Sequence, residues 1–366
     1  MSTAPPPAQA APDTPGTPAA GLAVLPVTGL GEIREGDDLA GLLAEALTPL
    51  APQDGDVLCV STKIVSKAQG LRVPAEQRDR AVADLAVRTV ARRLHTRVVT
   101  SVVQIPSGPV MAAGGVDSSN APEGPLLLPE DPDACARGLR AALSAALDVD
   151  LGVLLTDTSS RIWRVGVGDI ALGAAGVAAL QDLRGGTDAD GRPLTVTVRN
   201  LADELAAAAD LVKGKSSGVP AALVRGVPGA TAQDVPARAL SRTGEDDWFR
   251  RPSLESVWVA LGLAPEQEPI ARMSPEPVPE RIARALQVAA VPRPGREPST
   301  ATVRDVAPDG PAPHIVVEAA DDSPAALVHA ATHAERIRTA LGAEALGAPL
   351  PRIAVEICVP DPQEPS

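Results

Sequence analysis

Aromatic side chains are almost absent from this chain of 366 residues, which has no tyrosine, one phenylalanine and three tryptophans. A hydrophobic core with so few rings must be built from valine, leucine, isoleucine and alanine. The scarcity also excludes a surface on which nucleic-acid bases stack against aromatic side chains. The net charge of -13 argues further against partners such as nucleic acid or an anionic membrane surface.

Long apolar runs are missing as well, since no stretch of about 18 apolar residues is free of charge. The first 20 residues contain no basic start followed by an apolar run. We therefore expect a soluble, cytoplasmic protein. Cysteine is rare too, and Cys59, Cys135 and Cys358 are far apart and outside any metal-ligand spacing, which predicts three buried thiols.

Lysine is the least expected scarcity, because only four of the 33 basic residues are lysine and the rest are arginine. The four form two close pairs, Lys63 with Lys67 and Lys213 with Lys215. A wide guanidinium cannot replace a compact ammonium that contacts one phosphate oxygen in a narrow pocket. The pairs therefore indicate a phosphate site, with chance or a shared surface position as the alternative.

Short apolar runs alternate with helical patterns after a Pro- and Ala-rich segment, residues 1–20, which predicts a disordered tail. The predicted strands are 22–27, 57–60, 96–103, 152–158 and 221–226, and the predicted helices are 38–47, 76–93, 131–147 and 201–212. This alternation predicts an α/β fold for a first domain, residues 21–262.

The C-terminal part begins with residues 263–302, which are rich in Pro, Glu and Arg and predict a linker. Residues 303–366 then predict a small α/β domain, with a strand at 314–319, a helix at 324–341 and a strand at 352–359. His329 and His333 are four residues apart on that helix, as two metal ligands often are. No third ligand is evident, so the spacing alone does not predict a metal.

The first segment that carries chemistry is 54–67, a turn and a buried strand followed by hydroxyls and lysines. Ligands bind α/β sheets at this end of a strand. If the chain turns helical after Thr62, Lys63 and Lys67 share one face and suit a polyphosphate. The alternative is a pair of solvated lysines on a surface turn.

The second segment is 114–120, where two glycines allow a close backbone approach and are followed by Asp117 and Asn120. Asp117 is a candidate ligand for a cation. The alternative is an ordinary turn.

The third segment is an apolar strand, 153–158, that ends in Asp157 between two hydroxyls, with Arg161 and Arg164 beyond it. Hard oxygen ligands near arginines suit Mg²⁺ or Mn²⁺ and an anionic substrate. Here too a turn is the alternative.

The fourth segment, 202–216, is an alanine-rich helix with acids at its start and lysines on both sides of Gly214. Gly214, Lys215 and Ser216 imitate the end of a P-loop, but Ala209 occupies the place of the required glycine and a helix precedes it. A P-loop NTPase is therefore excluded. A hydrolase triad or a zinc protease has no supporting motif either.

Seven segments in order resemble the coenzyme F420-0:L-glutamate ligase family, over roughly residues 22–255. They are 25–30 (LPVTGL), 61–67 (STKIVSK), 115–120 (GVDSSN), 156–158 (TDT), 173–177 (GAAGV), 202–204 (ADE) and 211–215 (LVKGK). The resemblance implies a mixed-sheet α/β ligase domain, here with a small C-terminal α/β appendage, and an intertwined homodimer. It also implies GTP-dependent γ-glutamyl ligation of L-glutamate to the deazaflavin precursor through an acyl phosphate, with Mg²⁺ or Mn²⁺ and K⁺ as candidate ions.

The resemblance also implies roles for individual residues. The expected nucleotide contacts are Leu30, Gly31, Glu32, Ile33, Thr62, Lys67 and Asn120, with Lys213 and Lys215 as further candidates. The expected metal ligands are Asp117, Asp157 and Thr158. The expected catalytic contacts to phosphates or substrate carboxylates are Lys63, Arg161 and Arg164.

Several positions depart from the family's usual pattern. Thr62 stands where serine is usual and keeps the hydroxyl, whereas Ser160, Val165 and Val167 replace residues common in the family. Pro106 lies in a stretch that usually carries a basic residue. These changes leave open the acceptor and the number of glutamates added. A nucleotide-binding homologue without ligase activity, which serves as a partner or scaffold, and an amide ligase for another carboxylate are the alternatives.

Long members of the family append an FMN-binding domain similar to nitroreductases. Residues 271–278 faintly resemble its start, but roughly 100 residues remain where nearly twice as many are needed. We therefore expect no FMN site.

Overall fold

The structure is a computed structural model that describes residues 21–95, 97–162, 164–242, 254–272, 275–295, 298–307, 314–345 and 348–360. The chain forms two compact units. The first unit contains the residues up to Leu71 together with Leu128–Leu240, and the second contains Arg72–Leu127 together with the residues from Ser241. The predicted tail, residues 1–20, lies outside the described residues.

The described residues form fourteen strands and eight helices. The strands are β1 (Ala23–Val27), β2 (Val57–Ser61), β3 (Arg88–His95), β4 (Val98–Gln104), β5 (Val110–Ala112), β6 (Gly152–Ser160), β7 (Val167–Ala175), β8 (Leu180–Asp182), β9 (Val198–Asn200), β10 (Ala221–Arg225), β11 (Ala271–Arg272), β12 (Thr302–Ala307), β13 (His314–Glu318) and β14 (Ala354–Cys358). The helices are α1 (Leu39–Leu47), α2 (Thr62–Ala68), α3 (Arg78–Leu85), α4 (Pro132–Leu147), α5 (Leu201–Lys213), α6 (Leu254–Ala260), α7 (Val278–Ala290) and α8 (Pro324–Glu344).

The first unit is built on a mixed sheet of five strands in the order β1-β10-β2-β6-β7, in which only β2 and β6 are parallel neighbours. Side chains alternate between two hydrophobic clusters, so that Leu58 packs on the face with α1 and α4 and Cys59 on the face with α5. Helices thus cover both faces of the central strands, which explains why β2 is apolar without interruption. This architecture confirms the predicted mixed α/β fold.

Two helix boundaries in the first unit follow from capping residues and glycine that can be identified in the sequence. The Asp131 side chain accepts a hydrogen bond from the Ala134 amide at 2.9 Å and caps α4, whose first residue is Pro132. At the end of α5, Gly214 adopts a φ of 58°. Both boundaries agree with the predicted ends of these helices.

Gly173 in β7 marks the closest approach between the sheet and α4. A Cβ atom at this position would collide with the Pro132 carbonyl oxygen, which is rigid backbone. The first turn of α4 can therefore pack directly on β7 only because residue 173 is glycine.

The second unit contains two sheets. One has the order β11-β3-β4-β5, and the other has the order β12-β13-β14. Parallel strands β13 and β14 are joined by α8, which confirms the predicted β-α-β arrangement at the C-terminus. A hydrophobic cluster that includes Trp258, Ile282, Ile315 and Ile337 joins α6, α7 and α8 to these strands.

Two local predictions are wrong. The helix predicted for 76–93 ends at Leu85, and the chain then forms β3, whose Thr and Val residues favour a strand over a helix. Of the three cysteines only Cys59 is buried, whereas Cys135 and Cys358 are half-buried. Burial raises the pKa of the Cys59 thiol to about 12, so this group stays protonated.

The segment predicted as a linker, 263–302, contains α7, whose buried face includes Ile282, Ala285 and Val288. The domain bounds 21–262 and 303–366 stay predictions. Within the described part of the chain, none of the helices combines the length and apolar character needed to cross a membrane.

Candidate active site

The candidate site in the first unit lies at the edge of the sheet where β2 and β6 end. Ser61 and Thr156 are partners in the parallel register, so Thr62 and Asp157 follow them at the same edge. The carboxyl ends of parallel strands are where open α/β sheets bind ligands. β10 begins at this edge, since its first residue, Ala221, pairs with Val60.

Helix α2 starts directly at the end of β2 and places two predicted nucleotide contacts inward. The Thr62 hydroxyl is fully buried and donates to the Thr156 carbonyl at 3.1 Å, which joins α2 to β6. The Lys67 ammonium lies 2.5 Å from the Glu32 carboxylate, and the Lys67 side chain is only 8% exposed against 61% for Glu32. The structure therefore brings Glu32 and Lys67 together, and their assignment as nucleotide contacts stays a prediction.

Lys63 and Asp157 form the next pair. Their charged atoms are 3.5 Å apart, and Asp157 is buried at the end of β6. The predicted catalytic lysine and the predicted metal ligand thus face each other at the strand edge.

Lys213 reaches the same edge from the end of α5. Its ammonium donates to the Thr156 hydroxyl at 2.5 Å and to the Asp169 carboxylate at 2.6 Å. Both Lys213 and Asp169 are buried. Lys213 therefore points into the protein, and its described hydrogen bonds fix β6 and β7 against α5.

Asp169, on β7, is the centre of this cluster and was missed by the sequence analysis. Its carboxylate accepts hydrogen bonds from the hydroxyls of Thr156 and Thr158, each at 2.9 Å, and from Lys213. Burial by itself would raise the pKa of Asp169, but the Lys213 charge and these hydrogen bonds outweigh it and hold the pKa below its usual value. Asp169 is thus a buried carboxylate that remains ionised.

One sequence signal for Asp169 exists. It is the only charged residue in β7, whose nine residues are otherwise small or apolar. A single acid in such a strand needs a buried partner. The partner is 44 residues away in the sequence, so the pattern alone does not identify it.

Lys215 and the two arginines lie at the outer side of the cluster. Lys215 contacts the Thr158 hydroxyl, lies 4.0 Å from Asp169 and is 60% exposed. Arg161 is exposed and donates to the Asp169 carbonyl at 3.0 Å, and Arg164 is exposed. These cations suit contact with a ligand that arrives from solvent.

The remaining predicted residues have different surroundings. Ile33 is buried in the core and Leu30 packs against it, whereas Gly31 is exposed. Asp117 and Asn120 belong to the second unit. There the Ser119 amide and hydroxyl each donate to the Asp117 carboxylate at 2.7 Å.

A divalent metal fits the chemistry of the first-unit cluster. Asp157 and Thr158 offer hard oxygen atoms beside the end of β6. Among the described residues, no three His, Cys, Asp or Glu side chains are grouped so as to hold a metal ion. This is compatible with Mg²⁺ chemistry, because Mg²⁺ is commonly held by one or two carboxylates together with substrate phosphates.

A mixed sheet covered by helices, with three lysines, two buried carboxylates and three threonine hydroxyls at one strand edge, defines an α/β protein suited to a phosphate-bearing ligand. Residues 29–226 match the family model of the F420-0:Gamma-glutamyl ligases. The chain belongs to this family. The match spans every first-unit residue named above for the site, Asp169 included.

Curated relatives agree with this assignment. A protein of Methanopyrus kandleri named coenzyme F420:L-glutamate ligase is 38% identical over 249 residues, which cover 63% of this chain and 98% of that protein. A protein of the same name from Natronomonas pharaonis is 40% identical over 226 residues, 56% of this chain and 86% of that protein. A third, from Archaeoglobus fulgidus, is 37% identical over 245 residues, 62% of this chain and 96% of that protein.

Proposed function

We propose that this protein is a ligase that joins L-glutamate to the carboxylate of the deazaflavin precursor coenzyme F420-0, with GTP as the phosphate donor. The observation that carries the proposal is the grouping of three of the four lysines of an arginine-rich chain at Asp157 and Asp169, with Lys67 on the same helix, α2, as Lys63, within the segment that matches the family. Retention of lysine at one strand edge is expected for contacts to individual phosphate oxygens.

The proposed reaction has two steps. A carboxylate oxygen of the precursor attacks the γ-phosphorus of GTP, the bond to the bridging oxygen breaks, and GDP leaves. The amine of L-glutamate then attacks the carbonyl carbon of the acyl phosphate, loses a proton and displaces phosphate as the amide forms. Phosphorylation is needed because a free carboxylate is a poor electrophile.

Each cation has a distinct part in this proposal. Lys67, held by Glu32, and Lys63, beside Asp157, neutralise charge on the transferred phosphoryl group. Lys215, with Arg161 and Arg164, meets the carboxylates of the acceptor or of glutamate. Lys213 acts differently, because it is buried against Asp169 and keeps Thr156 and Thr158 in position.

Asp157 and Thr158 would hold Mg²⁺ or Mn²⁺, and the ion would supply further neutralisation of the triphosphate charge. Asp117 and Asn120, in the second unit, remain the proposed metal and nucleotide contacts of that part of the chain. K⁺ is a further proposed ion. Single variants of Asp117, Asn120, Asp157 and Thr158 in the assay below test the residue assignments, and omission of K⁺ from that assay tests the ion.

We also propose a homodimer that acts in the cytoplasm. Ile162, Val165 and Val167, at the turn between β6 and β7, are strongly exposed apolar side chains, which supports an interface there. Sedimentation of the full chain should give twice the monomer mass of 37.3 kDa. V165E should shift it towards the monomer, and a wild-type chain that sediments as a monomer would refute the dimer.

The function is tested by incubating the purified chain with the deazaflavin precursor, GTP, Mn²⁺ and L-glutamate and then measuring product masses. We expect a mass increase of one or more glutamyl residues together with stoichiometric GDP. GTP binding without a new product would instead favour a nucleotide-binding scaffold. A product formed only with a different carboxylic acid would indicate a related amide ligase.

A further inference from the structure

A cavity of about 710 Å³ lies entirely within the second unit and outside the residues that match the family. Its walls are the end of α7 with the residues that follow it, and one face of α8. Small-molecule sites commonly have this size. The proposed ligase reaction makes no use of it.

Two histidines on α8 line the cavity one helical turn apart. His333 is only 6% exposed, and no described residue forms a hydrogen bond with its ring. His329 is half-buried, and its Nδ1 lies 3.2 Å from the Thr300 hydroxyl. A nearly buried imidazole that lines a cavity without a described partner is a polar group suited to meet a ligand.

Arg336 fixes a positive charge in the same wall. Its guanidinium donates to three carbonyl oxygens, those of Ala289 at 2.9 Å, Leu261 at 2.8 Å and Val291 at 2.6 Å. These bonds use three of the five N–H groups and orient the fork rigidly. Among the described residues no carboxylate pairs with Arg336.

Arg293 lies at the same cavity and is exposed. Burial, and then the charge of Arg293, lowers the pKa of Arg336, as expected for two cations close together. Glu335 is the one acid among the lining residues, and its carboxylate is 3.3 Å from Arg338. The cavity therefore presents more positive than negative charge.

These surroundings argue for an anion and against a metal at the two histidines. Two guanidinium groups repel a metal cation, and no group of three metal-ligating side chains occurs here in the described part of the chain. Burial, and then the Arg336 charge, lowers the pKa of His333, so its ring is neutral near pH 7 and offers one N–H donor.

We propose that this cavity binds a small organic anion, with a phosphate or carboxylate group at Arg336, Arg293 and His333 and an apolar part against Val291 and Val328. Arginine forks match both anionic groups in geometry. The proposal is independent of the ligase reaction, because its residues all lie beyond the matched segment.

The test uses the full chain labelled with ¹⁵N-histidine, because the chain has only four histidines and each imidazole can be assigned with one substitution. The probes are inorganic phosphate for the phosphate group and glutarate for the carboxylate group, titrated at a constant ionic strength of about 0.15 M. We expect saturable shifts of His329 and His333 and no shift of His314, which does not line the cavity. The response to the two probes shows which anionic group is preferred.

Arg293→Gln is the variant, because its side chain is exposed and its loss should not disturb the fold. It should weaken probe binding about tenfold, the effect of losing one charge-assisted hydrogen bond. Arg352→Gln is the matched control, since it removes one exposed charge of the same unit that does not line the cavity. It should leave the affinity unchanged.

Three results would overturn the proposal. The first is the absence of shifts at His329 and His333 with either probe. The second is an equal loss of affinity in both arginine variants, which would indicate an adventitious ion only. The third is a response of these histidines to Zn²⁺ and to neither anion.

Discussion

Among the described residues, the buried basic side chains of the two units differ in kind, since they are Lys67 and Lys213 in the first unit and Arg281 and Arg284 in the second. In the first unit, the single ammonium of Lys213 meets one carboxylate, Asp169, and one hydroxyl, Thr156. In the second unit, the planar guanidinium of Arg284 is held between two carboxylates, those of Glu276 and Glu344, by four hydrogen bonds of 2.6 to 2.8 Å.

The difference explains where the chain keeps lysine. A fork with two parallel N–H bonds stabilises a structural pair, and the second unit uses arginine throughout. At the strand edge of the first unit, the compact ammonium groups of Lys213 and Lys215 contact the hydroxyls of Thr156 and Thr158. The lysines thus lie at the proposed site of the first unit, whereas the ion pairs of Arg284 with Glu276 and Glu344 lie in the interior of the second unit.

The largest expected effect comes from neutralising one acid in each unit. The variant in the first unit should lose turnover, and the variant in the second unit should lose stability. Asp157→Asn should reduce turnover about a thousandfold, because it removes a charge needed when metal and triphosphate are bound. Its unfolding free energy should change little, because asparagine keeps the shape of the side chain and the partner Lys63 is 18% exposed. Mass-resolved ligation assays and urea unfolding measure both effects.

Glu276→Gln is the matched control for Asp157→Asn. It should lower stability and leave turnover intact, because it loosens Arg284 and touches no residue of the proposed site. Retained metal-dependent ligation in Asp157→Asn would remove Asp157 from the site.

The second prediction compares the carboxylates that hold each buried cation. Asp169→Asn should destabilise the β6–β7 region by about 3–5 kcal/mol, because it leaves Lys213 buried without its carboxylate. Glu276→Gln should cost less, since Arg284 keeps Glu344. Hydrogen exchange of the amides in each region separates the two effects, and equal losses would contradict the comparison.

The third prediction exchanges the two cation types. Lys67→Arg should lower kcat about a hundredfold, nearly as much as Lys67→Ala, because the wider guanidinium should displace the phosphoryl group by about 1 Å. GTP binding should persist. Arg284→Lys, the matched change in the second unit, should reduce stability and spare kcat. If Lys67→Arg keeps more than about a third of wild-type kcat/KM, lysine is needed there only for its charge.

The smallest effect is a pH dependence of the second unit. Burial would raise the pKa of Glu276, but Arg284, with the Arg272 amide and charge, outweighs it and lowers the pKa below the unfolded value of about 4.3. A lowered folded pKa adds stability above the unfolded pKa, and this stability is lost as pH falls through the folded pKa.

Hydrogen-exchange protection in α7 and α8 should therefore decrease when the pH falls below about 4. In the Glu276→Gln variant, the hydrogen-exchange protection of α7 and α8 should be lower at neutral pH and should decrease less as the pH falls. An identical pH profile for the variant and the wild type would remove Glu276 from the acid response.

Patterns of short range predicted much of the fold. The spacing of apolar residues and the capping residues predicted the positions of β1, β2, α1, α4 and α5. The rarity of lysine identified candidate residues that lie at the strand edge. The prediction failed at β3, where Val90, Ala91 and Leu94 have the spacing of one face of a helix although the segment forms a strand.

The site was predicted less completely than the fold. Asp169 was missed because its meaning depends on Lys213, a distant residue that the fold alone brings near. The inward direction of Lys213, in contrast to the exposed Lys215 two residues later, is likewise set by packing on α5.

The register of β1 affects how the protein folds during synthesis. β1 pairs only with β10 in its sheet, and Ala23 is the register partner of Arg225. During translation, Ala23 is therefore synthesised about two hundred residues before its partner. Until then, an apolar strand lacks its hydrogen-bonding neighbour and is open to wrong pairing with other chains. The closing of this sheet is a contact of high sequence separation, for which slow folding is expected.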